Sequence, residues 1–226
     1  MVEMKRALLV VGIAALIVLS IAGVAFASES YVISDYSGAA QQGGTTIVDN
    51  STTWRYAPEN PRVVYITVWA PEPYKNYITK AIVEVVRSQG LKAVVVNDVS
   101  KYDLKGRLVV AFFPYTEWNN GVLSREVTLS GILYYSYDGD AKSIINATRA
   151  FDLSKDAIST FAGELCQASS KRMVYEHIVN RDCNVAYWWN LKAKVGKLNQ
   201  ANPYEMAANE ISSQLKNFLL SDNEAK

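Results

Sequence analysis

Cys166, His177 and Cys183 bring the only thiols and the only imidazole of the chain into one short stretch. Such a set has three chemical uses. A thiolate beside an imidazole is a nucleophile with its base. Thiolates and imidazoles also ligate zinc, but a zinc site needs three or four ligands, and His177 has no second nitrogen ligand to join it. The third use is a disulfide, which is the expected state of two cysteines in an oxidising compartment. Pairing of Cys166 with Cys183 would close a loop of about 17 residues and contribute about 3 kcal/mol in the chain-entropy model. Two buried free thiols are the alternative. The neighbour of His177, Glu176, would point to the opposite side of a strand, so the two would not cooperate as an acid–base pair there.

The motifs that would declare an enzyme are absent from the sequence. There is no Gly-x-Ser-x-Gly to raise a serine on a tight turn, and no His-Glu-x-x-His to bind zinc. The P-loop and Gly-x-Gly-x-x-Gly patterns are also missing. Asp138-Gly139-Asp140 resembles the opening of a calcium loop, yet Lys142 and Ile144 fall on later ligand positions and no glutamate closes it. It reads as a turn after a strand. Paired carboxylates of the glycosidase kind are not local in sequence and keep a hydrolase open as an alternative. No catalytic, cofactor-binding or metal-ligating residue is assigned, and binding is expected rather than catalysis.

Two other features carry recognition chemistry. Tyr134 and Trp188 fall on the nominally polar faces of their strands, where exposed rings would stack on sugars or anchor a protein partner. Burial of both rings is the competing expectation. The sequons Asn50-Ser51-Thr52 and Asn146-Ala147-Thr148 are glycan acceptors in an exported protein, Asn50 being the better placed in a loop.

Export follows from the first segment. Ala7 to Ala27 is apolar without one charge and follows Lys5-Arg6. Roughly twenty helical residues, at about 1.5 Å each, cross a hydrocarbon core about 30 Å thick. Two readings compete. Ala25-Phe26-Ala27 before Ser28 fits a cleavable signal peptide. The length of the run exceeds an ordinary signal core and fits an uncleaved anchor. Lys5 and Arg6 stay on the cytoplasmic side in both, so the chain from Ser28 onward lies outside the cytoplasm, anchored or secreted after cleavage following Ala27. Basic residues before a long apolar run also resemble a prepilin leader, but a filament subunit would continue the helix past residue 28.

Removing residues 1–27 takes away Lys5, Arg6 and Glu3 and leaves 21 basic and 21 acidic residues. A neutral domain without a basic cluster is not expected to bind nucleic acid. Its expected partners are the membrane, through residues 7–27, and an envelope protein or glycan.

Residues 28–61 have no apolar period and carry Gly38, Gly43, Gly44 and many Ser and Thr, so they read as a flexible stalk. A short strand at Tyr31-Val32-Ile33 or Thr46-Ile47-Val48 is compatible with that stretch. The domain is expected over 62–226. Val63 to Trp69 is a β-branched and aromatic strand. Pro71 and Pro73 break it, and Tyr74, Ile78, Ala81, Ile82, Val85 and Val86 share a helical face that Gly90 ends. Lys92 to Asn97 is a second strand, parallel to the first if they share a sheet. Leu108–Tyr115 and Glu126–Tyr137 form a hairpin about Asn119-Asn120-Gly121. A helix begins at Ser154, and 171–179 is ambiguous between helix and strand. Val185, Tyr187, Trp189, Leu191, Ala193 and Val195 alternate as the inner face of another strand. Asn202 then caps a last helix with Pro203 at its first position. The fold expected is an α/β single-domain sandwich: a mixed sheet of about five strands with helices mainly on one face, after an N-terminal hydrophobic helix.

Overall fold

A computed structural model describes residues 2–41, 60–97, 106–136, 173–174, 177–178 and 183–224. Among the described residues the fold is α/β, with a mixed six-stranded sheet and three helices. The helices are α1 (Val2–Ser28), α2 (Tyr74–Ser88) and α3 (Pro203–Glu224). The strands are β1 (Ser30–Gln41), β2 (Asn60–Trp69), β3 (Lys92–Val95), β4 (Gly106–Asn120), β5 (Ser124–Ser136), β6 (Met173–Val174), β7 (His177–Ile178) and β8 (Cys183–Gly196). Across the sheet the order is β1-β8-β5-β4-β2-β3, and β6 and β7 form a separate antiparallel pair.

The β2-α2-β3 unit forms as its sequence predicts. β2 runs parallel to β3 on one side and to β4 on the other. Gly90, at φ 71°, takes the left-handed conformation that ends α2. β4 and β5 are the expected hairpin, and β8 pairs antiparallel with β5. In α3 the Asn202 Oδ1 accepts the Tyr204 N–H at 3.0 Å, the capping bond that the sequence implies.

One face of the sheet is covered by α2 and α3. Ile78, Ile82 and Val86 of α2, with Ile211, Leu215 and Leu219 of α3, pack over Ile66, Val109, Phe113, Leu133, Tyr135 and Trp188. The other face buries Tyr65, Leu108, Val110, Ile132, Tyr134 and Val185. The middle of β4 and β5 is therefore buried on both sides, which suits the near-continuous apolar run Leu108–Phe113. This corrects the reading of Glu126–Tyr137 as a strand with one wet face.

The flexible stalk expected over 28–61 is also corrected in its first part. Ser30–Gln41 is an edge strand, paired with β8 from Ser30↔Val195 to Gln41↔Cys183. The sheet thus has six strands instead of about five, and it begins well before Arg62. The physical reason is backbone pairing. β1 gains ladder hydrogen bonds along its whole length, and an edge strand needs little apolar side-chain pattern to do so.

The helix α1 ends at Ser28 and a strand starts at Ser30, so the helix does not run on as a filament subunit requires. Leu16, Ile17, Val18, Leu19, Ile21, Val24 and Phe26 are all exposed. Among the described residues no helix is long and apolar enough to cross a membrane, so the structure does not support the expected N-terminal hydrophobic helix as a span. The expected helix from Ser154, and the stretch 42–59 of the expected stalk, lie outside the described residues.

Candidate functional site

The parallel strands define a crevice. The chain leaves β2, passes through α2 and returns as β3 on one flank, while β4 lies on the other flank. Strand order reverses about β2, and ligands of open α/β sheets bind outside the carboxyl ends of strands at such a point. A cleft of about 500 Å³ lies there. Its walls include Thr67, Trp69 and Pro71 from the end of β2, Lys75 from the first turn of α2, Asn97 after β3, and Phe112 from β4. The volume falls within the range of small-molecule sites.

Each wall residue is placed by local sequence. Thr67 and Trp69 alternate with inward Ile66 and Val68, so they face away from α2 and α3. The Trp69 Nε1–H donates to Thr67 Oγ1 at 3.3 Å, which fixes the indole against the strand end. Pro71 and Pro73 stop the strand, and the Glu72–Pro73 peptide is cis. The first turn of α2 follows at once, with the Lys75 N–H bonded to the Pro71 carbonyl at 3.1 Å. The cleft thus joins one ammonium, a hydroxyl, an amide and two aromatic faces. That combination is chemically suited to a small polar or anionic group carrying a flat apolar part. Sequence reading missed these residues, although a signal was there. A strand that two prolines end, followed directly by a helix, marks the carboxyl end of a βα unit.

An aromatic cluster stands near the cleft at the same end of α2. Tyr204 stacks on Tyr77 at 5.3 Å and on Trp118 at 5.2 Å, and meets Tyr74 edge-on at 5.0 Å. The Tyr74 hydroxyl donates to the Glu117 carbonyl at 2.7 Å. Burial pushes the Tyr74 phenol up to about 12, with Tyr204 and Glu117 adding to the rise and a hydrogen bond with Thr116 opposing it. Burial also raises the Tyr204 phenol, with Tyr77 adding to it.

The expected aromatic surface at Tyr134 and Trp188 is not formed. Both side chains are 0 % exposed, and they lie in opposite halves of the core. The cause for Trp188 is a β-bulge. Across β8, Leu191 pairs with Leu129 but Trp188 pairs with Gly131, so Trp189 and Asn190 together face Ser130. The Ser130 hydroxyl donates to the Trp189 carbonyl at 2.5 Å across this irregularity. The extra residue reverses the alternation, turning Trp188 inward and leaving Trp189 54 % exposed. Tyr187, half-buried, lies 5.2 Å from Trp189, so the exposed ring is Trp189, one residue away from the expected position.

The remaining predicted residues fall as follows. Cys166, Asn50 and Asn146 lie outside the described residues. Cys183 opens β8 and His177 opens β7. Among the described residues, no group of three or more His, Cys, Asp or Glu is placed to hold a metal. Glu126 is engaged by Lys192, 3.0 Å away. Compared with known protein families, curated proteins and solved structures, the chain matches none.

Proposed function

We propose that this chain is a membrane-tethered binding domain of the cell envelope, facing outside the cytoplasm. The reading rests on the sequence run Ala7–Ala27, apolar and uncharged behind Lys5-Arg6, and not on a span found among the described residues. The exposure of Leu16, Ile17, Val18, Leu19, Ile21, Val24 and Phe26 supports it. In water such a helix would leave a large apolar area wet, whereas a bilayer buries it on every side. The charge pattern about Lys5-Arg6 sets its orientation. Retention is favoured over cleavage, because Ala27 is buried and its carbonyl accepts the Leu198 N–H at 2.8 Å. The Cys166–Cys183 disulfide and glycans on Asn50 and Asn146 belong to the same reading.

The domain presents the cleft at the ends of β2, β3 and β4 to an envelope ligand or partner. Lys75 supplies the charge that attracts it, and Trp69 with Phe112 supplies the flat apolar contact. Native membranes provide the test. The protein is expected to stay in the pellet after alkaline carbonate washing, and protease added outside is expected to digest the domain. An amine-reactive crosslinker is expected to join Lys75 to an envelope component. Release by carbonate overturns the tether. Turnover of a substrate panel with no crosslinked partner overturns the binding role and favours a carboxylate hydrolase.

A further inference from the structure

We infer that the sheet rim beside the end of α1 is a second membrane contact, whose apolar tips enter the bilayer surface. The inference rests on α1 being the membrane anchor and goes beyond it, because it assigns the posture of the whole domain. The rim has two parts. One is the β4–β5 hairpin tip, where Val122 is 91 % and Leu123 is 53 % exposed. The other is the turn after β8, where Leu198 is 64 % exposed. Isolated exposed apolar residues are ordinary, but three on two adjoining turns form a patch.

What selects lipid as the occupant is continuity with α1. The Leu198 N–H donates to the Ala27 carbonyl at 2.8 Å, and the Lys197 N–H donates to the Leu123 carbonyl at 2.9 Å. The Gly196 N–H donates to the Glu29 carbonyl at 2.7 Å, and the Asn199 side-chain amide donates to the Ser28 carbonyl at 2.9 Å. The turn after β8 is thus fastened to the end of the helix, and the hairpin tip is fastened to that turn. A Cβ on Gly196 would lie 2.0 Å from the Ala27 oxygen, so only glycine allows so close an approach. With Ala7–Ala27 filling a core about 30 Å thick, Ala27 stands at its outer boundary. The hydrogen bonds then hold Leu198 and Leu123 at that same level.

The chemistry of the rim suits the headgroup boundary. The Lys197 ammonium donates to the Asn120 side-chain carbonyl, and Glu29 is exposed close by, so neither sign of charge dominates. The contact is apolar and needs no anionic lipid. Trp118 and Tyr204, stacked at 5.2 Å, lie a few residues further from the tip, where aromatic rings border a bilayer.

The test places a photoreactive benzophenone amino acid at position 122, 198 or 88 of the full chain, reconstituted in phosphatidylcholine vesicles. Ser88 ends α2 at the opposite end of the sheet and is the distal control. Val122 and Leu198 are exposed, so the probe does not disturb the core. Irradiation is expected to yield phospholipid adducts at 122 and 198 and none at 88, read by mass spectrometry. Carbonate-resistant protein without lipid adducts at 122 and 198 overturns the inference and leaves the anchor standing. Protein–protein adducts at 122 in place of lipid also overturn it, in favour of a self-contact. Release of the protein by carbonate removes the anchor and the inference together.

Discussion

Tyr74 shows how one buried hydroxyl ties two elements and sets a pH limit. Its O–H donates to the Glu117 carbonyl, joining the first turn of α2 to the outer half of β4. In the unfolded chain a tyrosine ionises near its ordinary value of about 10. In the folded chain the phenol holds its proton to about 12. The unfolded state sheds a proton in that interval and the folded state does not. Stability from this group is therefore complete below about pH 10 and is lost as pH rises towards 12. Tyr74→Phe is expected to cost about 1 kcal/mol at neutral pH through the lost hydrogen bond. It should also flatten the fall in stability between pH 10 and 12. Urea unfolding of both proteins across that range checks this, and parallel pH curves would refute it. Nothing local in the sequence identifies Glu117 as the partner of Tyr74. Only the helical stripe that buries Tyr74 can be read directly.

At the scale of elements, the sheet is creased by bulges that line up across it. The β4 register slips between Phe112 and Tyr115, opposite Gly131 of β5. The slip in β8 lies beside it, and the β1–β8 register slips between Asp35 and Tyr36. Gly131 sits where the crease is tightest. A Cβ there would lie 2.1 Å from the Phe112 oxygen and 2.7 Å from the Phe113 Cα, both backbone atoms that cannot swing away. Gly131→Ala is expected to destabilise the domain by more than about 2 kcal/mol, with chemical denaturation as the measurement. A change within about 0.5 kcal/mol, the usual surface range, would show that the crease relaxes freely. The crease also explains what could be read from the sequence. The β2-α2-β3 unit and the β4–β5 hairpin rest on local periodicity and turn residues, and both form as expected. The alternation of β8 is local as well, but a bulge adds one residue and exchanges the roles of Trp188 and Trp189. Strand β1 escaped because its pairing partner lies at the far end of the chain. Its Ser, Gly and Ala residues look like linker when that partner is not known. The cleft escaped for a related reason, since its wall gathers residues from two strands, the segment after a third, and one helix.

For the whole molecule, the decisive feature is the stiff junction between α1 and the domain. A flexible stalk would let the domain turn freely about α1. Instead the backbone carbonyls of Ala27 and Glu29 and the Ser28 carbonyl all accept hydrogen bonds from the end of β8 and the turn after it. Arg125 braces that turn, its guanidinium donating to the Asn199 carbonyl at 2.7 Å and the Ala201 carbonyl at 3.2 Å. The helix and the sheet should therefore move as one body. Cleavage after Ala27 would take away one of these acceptors and leave the others. A protein beginning at Ser28 loses the acceptor of the Leu198 N–H but keeps Glu29, the acceptor of the Gly196 N–H. Hydrogen exchange at Leu198 is expected to quicken in that truncated protein while exchange at Gly196 stays slow. Stability should fall by about 1 kcal/mol, the usual net worth of one such bond. Equal exchange at Leu198 in the full and truncated chains would mean that the helix contributes nothing to the rim, and the fixed posture of the domain would fall with it.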